Sequence, residues 1–150
     1  MHDHYAVVDI GDGIFLSHRD KCPSFPYRER IIHIWRSDMP ENSCVDILNG
    51  NAKGLVIHYK DGEPLVNASV DVQTIVDFCA QPPSEPLLIH CTVGQTRGPT
   101  IALLAKIARG STPFAAMGTI AEVSWRVRRV IPNFCLAPLK EIFEWWEEHQ

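Results

Sequence analysis

The chain has 150 residues, of which 45% are hydrophobic and 21% charged, and its formal net charge at pH 7 is −4. This composition is typical of one globular domain and excludes a disordered chain. The pI of about 5.9 argues against a surface for nucleic acid or anionic membranes, and no apolar run is long enough to span a bilayer. The five cysteines lack CxxC spacing, which favours free thiols in a reducing cytoplasm.

The first third of the chain predicts short strands joined by polar loops. The segment His2–His4 contains possible metal ligands, but no further ligand cluster follows, and we interpret it as a solvated terminus. Glycines on both sides of Asp12 predict a hairpin. Arg28 and Arg30 either help to bind an anion or belong to a solvated loop, and the loop is the simpler interpretation. His33 lies in an apolar segment and is interpreted as a strand residue of the core. The predicted strands of the whole chain are residues 5–10, 14–17, 31–35, 54–59 and 87–90.

Four helices follow from apolar periodicity and from end signals. Gly110 suits the position after the second helix, where a left-handed residue ends many helices. In the last helix an apolar stripe that includes Ile142 and Trp146 is predicted to pack in the core. The glutamates predicted to face water are Glu141, Glu144, Glu147 and Glu148. The predicted helices are one capped by Asn67 or Ser69 and ending near Cys79, one over Pro99–Arg109, one from Pro113 to about Arg129, and one from Pro138.

These elements predict a single α/β domain over residues 1–150. We expect a central mixed, mainly parallel sheet of about five strands, flanked by helices on both faces. Open sheets of this kind bind ligands at the carboxyl ends of their strands, so we expect the functional site at that edge.

The most informative stretch is Leu87–Thr100. An apolar strand is followed by a polar loop, and Gly98 and Pro99 then suit the N-cap and first position of a buried helix. Cys91 lies at the end of the strand and Arg97 at the mouth of the helix. Backbone N–H groups, a helix N-terminus and a guanidinium around one thiol form an anion-binding loop with a nucleophile. The structural alternative is an inert, buried cysteine beside an arginine.

The motif His90-Cys91-x-x-Gly94-x-x-Arg97 resembles the signature loop of the cysteine-dependent protein tyrosine phosphatases. The following Gly98-Pro99-Thr100 is most similar to the compact dual-specificity branch of that superfamily. The resemblance extends from about Ile10 to Trp146 and includes Gly13–Leu16 and the Pro132-Asn133 turn. One departure is Gly98, because the family usually has Ser or Thr directly after the arginine.

The resemblance implies a phosphomonoester hydrolase that forms a phosphocysteine intermediate and needs no metal or cofactor. Cys91 is then the nucleophile, and Arg97 holds the phosphoryl oxygens through two parallel hydrogen bonds. A free thiol with a pKa near 8.5 is only about 3% thiolate at pH 7, so the helix N-terminus and the guanidinium must lower the pKa of Cys91. His90, Gly98 and Thr100 are expected to support the loop, His90 through a hydrogen bond. The implied substrate-binding residues are Thr92, Val93, Gly94, Gln95, Thr96 and Arg97.

An acid must protonate the leaving oxygen, and Asp61 is the candidate. It lies 91 − 61 = 30 residues before Cys91, in the loop that leaves a buried strand. In the resembled family an aspartate in such a loop acts first as an acid and then as the base that activates water. Glu63 is the nearest rival and Asp46 a weaker one, and a turn-forming aspartate is the structural alternative.

The resemblance, with a chain too short for the loops that deepen a pocket, implies a shallow cleft that accepts phosphotyrosine, and also phosphoserine or phosphothreonine; the uncharged loop disfavours inositides. Lipid phosphatases of this superfamily tend to carry lysines in the loop, and the acidic pI disfavours RNA 5′-triphosphates. The expected partner is a phosphorylated protein or small phosphomonoester, without nucleic acid or membrane, and the sequence leaves the oligomeric state open.

Two other functions remain open at this point. Because Gly98 lacks a hydroxyl, the chain is alternatively a phosphate-binding pseudophosphatase with slow or no turnover, unless Thr96 or Thr100 supplies that hydroxyl. A sulfurtransferase-like domain also uses a cysteine loop, but it has no use for an acid at position 61. Three further cysteines are candidates for a protecting disulfide with Cys91: Cys44, Cys79 and Cys135.

Overall fold

The computed structural model describes residues 6–18, 30–35, 53–58, 63–65, 70–80, 85–91 and 97–150. Five strands form one sheet in the order β1-β2-β5-β3-β4. β1 pairs with β2 antiparallel, and every other neighbouring pair is parallel. The predicted mixed, mainly parallel sheet is therefore confirmed. The strands are β1 Val8–Asp9, β2 Ile14–His18, β3 Arg30–Trp35, β4 Lys53–His58 and β5 Leu87–Cys91.

The predicted hairpin joins β1 to β2. Gly11, Asp12 and Gly13 all have positive φ, at 85°, 58° and 73°. Glycine adopts this conformation without cost and aspartate tolerates it, so the local sequence determines the turn. The carboxylate of Asp9 accepts a hydrogen bond from the Gly11 N–H at 2.9 Å. β1 is shorter than the predicted strand over 5–10, because its ladder with β2 joins only two residue pairs.

Four helices lie in the described part of the chain, and two of them begin earlier than the sequence predicted. Pro99 is the third residue of the second helix and Pro138 the third of the last, whereas both were expected at the first position. N–H groups of a first helical turn have no acceptor within the helix, so a proline anywhere in that turn sacrifices no hydrogen bond. The helices are α1 Val72–Cys79, α2 Arg97–Ala108, α3 Pro113–Arg128 and α4 Leu136–Glu148.

The ends of the helices follow local rules. Asp71 is the N-cap of α1, and its carboxylate accepts the Thr74 N–H at 2.8 Å, which lowers the pKa of Asp71. The cap predicted at Asn67 or Ser69 is therefore wrong, and those two residues lie outside the described ones. Gly110 follows α2 with a φ of 108°, as predicted for a C-terminal glycine.

The main hydrophobic core lies between one face of the sheet and the four helices. Alternate strand residues share a face, and those from this face are buried together with side chains of every helix. On the other face Ile31, His33, Leu88 and His90 are also buried, so both faces of the central strands are covered. The sheet residues of the core are Val8, Ile14, Leu16, Ile32, Ile34, Ile57, Leu87 and Ile89.

A charged network closes the amino-terminal edge of the sheet. Arg30, expected in a solvated loop, is instead a buried residue of β3 whose guanidinium contacts the carboxylate of Glu85 at 3.0 Å. That hydrogen bond is the main reason why the pKa of Glu85 is lowered. Arg28 lies outside the described residues. The sequence-based interpretation of Arg30 was wrong because its partner is 55 positions away.

Arg109, just after α2, fastens three separate segments at the same edge. Its guanidinium donates to the carbonyl oxygens of Asp12 at 2.6 Å, Cys79 at 2.8 Å and Glu85 at 3.2 Å. Burial lowers the pKa of Arg109. One turn earlier, the ammonium of Lys106 donates to the Ile10 carbonyl at 2.6 Å and pairs with the Asp12 carboxylate at 2.9 Å. The far end of α2 is thereby fixed to the β1–β2 turn.

Arg128 holds the N-terminal strands against α3. Its side chain is almost fully buried. Nε donates to the carbonyl of Ala6 at 2.6 Å and Nη2 to the carbonyl of Leu16 at 3.0 Å. A buried guanidinium is stable only when its donors are paired, and these carbonyls provide acceptors.

Candidate active site

Four parallel strands end at one edge of the sheet. The last residues of β2, β3 and β4 are His18, Trp35 and His58, and β5 ends at Cys91. β5 lies between β2 and β3, so Cys91 is at the centre of that edge. In open α/β sheets this edge is where ligands bind. The structure therefore places the backbone of the proposed nucleophile where the fold class predicts a site.

The strand-to-helix corner predicted from the sequence is present in the backbone. β5 ends at Cys91 and α2 begins at Arg97, six positions later. α2 packs against β2 and β5, so its N-terminus lies at the same edge as Cys91. The first turn of a helix presents unpaired N–H groups and a partial positive charge, which together attract anions. The corner can therefore hold an anionic group. The loop residues predicted to bind substrate, Thr92, Val93, Gly94, Gln95 and Thr96, lie outside the described residues.

His90 precedes Cys91 and is buried against a second histidine. Its ring meets the ring of His33 edge to face, with centroids 4.6 Å apart and planes at 82°. The register pairs His90 with Ser17 on one side and with His33 on the other, and all three are buried. A polar row thus crosses the sheet one residue before Cys91. The sequence identified His33 only as a core residue, because strand register cannot be read from either strand alone.

Thr100 connects the mouth of α2 to the start of α4. Its buried hydroxyl oxygen accepts a hydrogen bond from the backbone N–H of Cys135 at 3.4 Å. Cys135 is the N-cap residue of α4 and follows the predicted Pro132-Asn133 turn. Thr100 therefore supports the corner from behind. A hydroxyl that accepts a hydrogen bond can still donate its own proton, so Thr100 remains a candidate substitute for the hydroxyl missing at position 98; Gly98 itself is buried.

The loop predicted to carry the acid is described only after Asp61, which lies outside the described residues together with the weaker candidate Asp46. Glu63, the nearest rival, is half-buried. Leu65 is fully buried in the core, and its backbone N–H donates to Oε1 of Glu141 on α4. Glu141 was predicted to face water, and that prediction is wrong. A glutamate that follows a lysine in a helix is interpreted as solvated when the backbone group that it binds lies 76 residues away.

The cysteines differ sharply in environment. Cys79 is a free, buried thiol whose pKa burial raises to about 12, so it stays protonated at neutral pH. It lies at the amino-terminal edge, beside Arg109 and Glu85. A strand of five residues separates that edge from Cys91 by about 13 Å, whereas a disulfide needs Cα atoms within about 7 Å. Cys79 is therefore excluded as a disulfide partner of Cys91. Cys135 is also a free, buried thiol, and Cys44 lies outside the described residues.

The described ranges contain neither a candidate metal site nor a helix that could cross a membrane. No group of three or more His, Cys, Asp or Glu side chains in them is arranged to hold a metal ion. Their longest helices also fall short of the length and apolarity that crossing a membrane requires.

Comparison with known proteins shows which class of fold this is. Neither a protein-family model nor a curated protein matches the sequence. Solved phosphatase structures do match the fold over nearly the whole chain. Tk-PTP in its active form is 14% identical, covers 96% of this chain and 97% of its own, and gives a TM-score of 0.64.

Two further solved structures match the fold to a similar extent. PTPMT1 in complex with PI(5)P is 17% identical over 97% of this chain and 96% of that chain, with a TM-score of 0.67. The human tyrosine phosphatase-like serine/threonine/tyrosine-interacting protein is 16% identical over 95% and 97%, with a TM-score of 0.63. The chain therefore has the α/β fold of the tyrosine and dual-specificity phosphatases, which confirms the fold class predicted from the signature loop.

Proposed function

We propose that this protein is a cysteine-dependent phosphatase that hydrolyses phosphotyrosine, and also phosphoserine or phosphothreonine, in proteins. The observation that carries the proposal is the corner itself. Cys91 ends the central strand and Arg97 begins the buried helix, in a chain with the phosphatase fold. This spacing lets a loop of five residues surround a phosphoryl group while the helix N-terminus faces it.

The proposed reaction has two steps. The Cys91 thiolate attacks phosphorus and the bond to the ester oxygen breaks, while Asp61 gives its proton to that oxygen. Water then attacks phosphorus and gives a proton to the Asp61 carboxylate. The phosphorus–sulfur bond breaks, inorganic phosphate leaves and the thiolate is regenerated. Throughout, Arg97 and the loop N–H groups bind the nonbridging oxygens, whose charge they stabilise most strongly in the transition state.

Protein substrates are favoured over lipid headgroups by the composition of the loop. PTPMT1 was solved with the phosphoinositide PI(5)P. In this chain the loop positions Thr92, Val93, Gln95 and Thr96 carry no cation, so nothing in the loop neutralises further phosphates of an inositide. A reducing compartment such as the cytoplasm suits a catalytic thiol, and we propose that location.

The second candidate is a pseudophosphatase that binds phosphate with slow or no turnover. Gly98 favours it, because glycine provides no hydroxyl to stabilise the thiolate as it leaves the phosphoenzyme. The two candidates share the corner and the fold and differ only in turnover.

The deciding experiment measures release of phosphate from 4-nitrophenyl phosphate and from a phosphotyrosine peptide. We expect turnover in the wild type, none in Cys91→Ser, and a loss of about 100-fold or more in Arg97→Lys, since an ammonium cannot make the paired hydrogen bonds. Turnover that survives Cys91→Ser contradicts the phosphatase proposal. Peptide binding without turnover in the wild type identifies the pseudophosphatase.

A further inference from the structure

The connection between β4 and α1, residues 59–71, is fastened to α4 near its middle. The carboxylate of Glu141, on α4, accepts the backbone N–H of Leu65, and the Leu65 side chain is fully buried in the same hydrophobic core as Ile142 of that helix. One helical turn further, Nε1 of Trp145 donates to Oε1 of Gln73, in the first turn of α1, at 3.1 Å. Glu141 and Trp145 are four positions apart and share a helix face, so one face of α4 holds this connection and the helix after it.

The same helix also reaches the other half of the candidate site. Its N-cap residue Cys135 is hydrogen-bonded to Thr100, which lies one turn into α2 after Arg97. Cys135 and Glu141 are six residues apart, about 9 Å along the helix axis. α4 is therefore a rigid spacer between the mouth of the signature loop and the anchored residue Leu65.

The Glu141 contact constrains the stretch that carries the proposed acid. Asp61 lies four residues before Leu65, a distance that an extended chain spans in at most about 14 Å. A hydrogen bond to a carboxylate is stronger than one between neutral groups, and it fixes the direction of the Leu65 N–H as well as its position. Without this acceptor, the Leu65 N–H has no hydrogen-bond partner in a partly buried position. The local backbone must then shift until water can accept that hydrogen bond.

We propose that Glu141 is a positioning residue that holds the β4–α1 connection so that Asp61 reaches the leaving oxygen. The inference rests on the proposed phosphatase function. Glu141 does not touch the substrate and acts through Leu65 and the chain before it. Removal of its carboxylate should therefore weaken protonation of the leaving group and leave the reactivity of the Cys91 thiolate unchanged.

The test uses the dependence on the leaving group. An acid matters most when the leaving oxygen is strongly basic, as in phenyl phosphate or phosphotyrosine, and little when it is weakly basic, as in 4-nitrophenyl phosphate. We expect Glu141→Ala to lower the ratio of kcat/KM for phenyl phosphate to kcat/KM for 4-nitrophenyl phosphate about tenfold, since kcat/KM reports the step in which the leaving group departs. The rate at which iodoacetamide alkylates Cys91 should be unchanged.

Three further variants make the test specific. Glu141→Gln keeps an oxygen that accepts the Leu65 N–H and should retain the wild-type ratio. Glu147→Ala removes an exposed glutamate from the same helix and is the matched control. Glu141→Asp replaces the alanine variant if that variant does not fold. It keeps the charge but shortens the side chain, and it should also lower the ratio.

A double mutant separates failure of this inference from failure of the proposed function. If Glu141 acts through the acid, Glu141→Ala should not lower the ratio further in an Asp61→Asn background. The positioning role is overturned, and the phosphatase proposal is left intact, if Asp61→Asn lowers the ratio while Glu141→Ala keeps the wild-type ratio. The same holds if Glu141→Ala slows both substrates equally. A ratio that Asp61→Asn does not change overturns the acid assignment, and the positioning role with it.

Discussion

The imidazoles of His33 and His90 meet edge to face across neighbouring strands, with ring centroids 4.6 Å apart. The register of β3 and β5 makes this pair, and both rings are almost completely buried. Edge-to-face packing of aromatic rings is favourable beyond the area that it buries. The residue before Cys91 is thus held by a side chain of the neighbouring strand.

Replacement of His33 tests this packing. His33→Ala leaves a cavity beside His90 and should lower the free energy of unfolding by about 2–4 kcal/mol, as for other large buried side chains. His33→Phe keeps a ring of similar shape and should lose less than half as much. Urea denaturation of both variants measures the difference, and equal losses would show that the ring contact itself contributes nothing.

Arg109 should be irreplaceable by lysine. Arg109→Ala leaves three carbonyl oxygens without their donor and is expected to lower the free energy of unfolding by about 2–4 kcal/mol. Arg109→Lys should recover only a small part, because one ammonium cannot reach the carbonyls of Asp12, Cys79 and Glu85 together. Arg126→Ala, which breaks an exposed pair with Glu122, is the control and should leave the urea midpoint unchanged. A lysine variant as stable as the wild type contradicts this account.

Because the Cys79 thiol is buried, the free energy of unfolding should fall at alkaline pH. Burial raises the pKa of the thiol to about 12 in the folded protein, from an ordinary value of 9.0. Above pH 9 the unfolded chain releases this proton while the folded chain keeps it, so the stabilising effect is complete below pH 9 and declines as pH rises toward 12. The slope should approach about 1.4 kcal/mol per pH unit. Urea denaturation between pH 8 and 11 should show a shallower decline in Cys79→Ala than in the wild type, and parallel curves would refute the prediction.

Gly98 should limit the second step of the proposed reaction. Gly98 has no hydroxyl to stabilise the departing thiolate. We expect stopped-flow measurements on 4-nitrophenyl phosphate to show a burst followed by a slower steady state in the wild type. Gly98→Ser should raise the steady-state rate about tenfold and reduce the burst. Linear kinetics from the first turnover, unchanged in Gly98→Ser, would contradict this.

Local chemistry explains which features the sequence could predict. The hairpin at Gly11–Gly13 follows from residues that tolerate positive φ, and β5 and α2 follow from apolar runs bounded by a loop and a proline. The corner between Cys91 and Arg97 needs only these neighbouring signals. Its two ends could therefore be located before any coordinates were known.

Long-range pairing explains what the sequence missed. Arg30 and Glu141 were both assigned to solvent, yet their partners lie 55 and 76 positions away. A charged residue looks the same in sequence whether it faces water or a distant backbone group. The early starts of α2 and α4 were missed for a different reason, since proline is equally acceptable at any position of a first turn.

The hydrogen bonds of Arg128 have a consequence for biosynthesis. They join α3 to Ala6 and Leu16, across 122 and 112 positions of the chain. A nascent chain can therefore form these two contacts only after most of the protein has left the ribosome. Contacts of such long range slow folding, and a fragment that stops at the end of α2 would keep the Lys106 contacts of its N-terminal hairpin but lack those of Arg128.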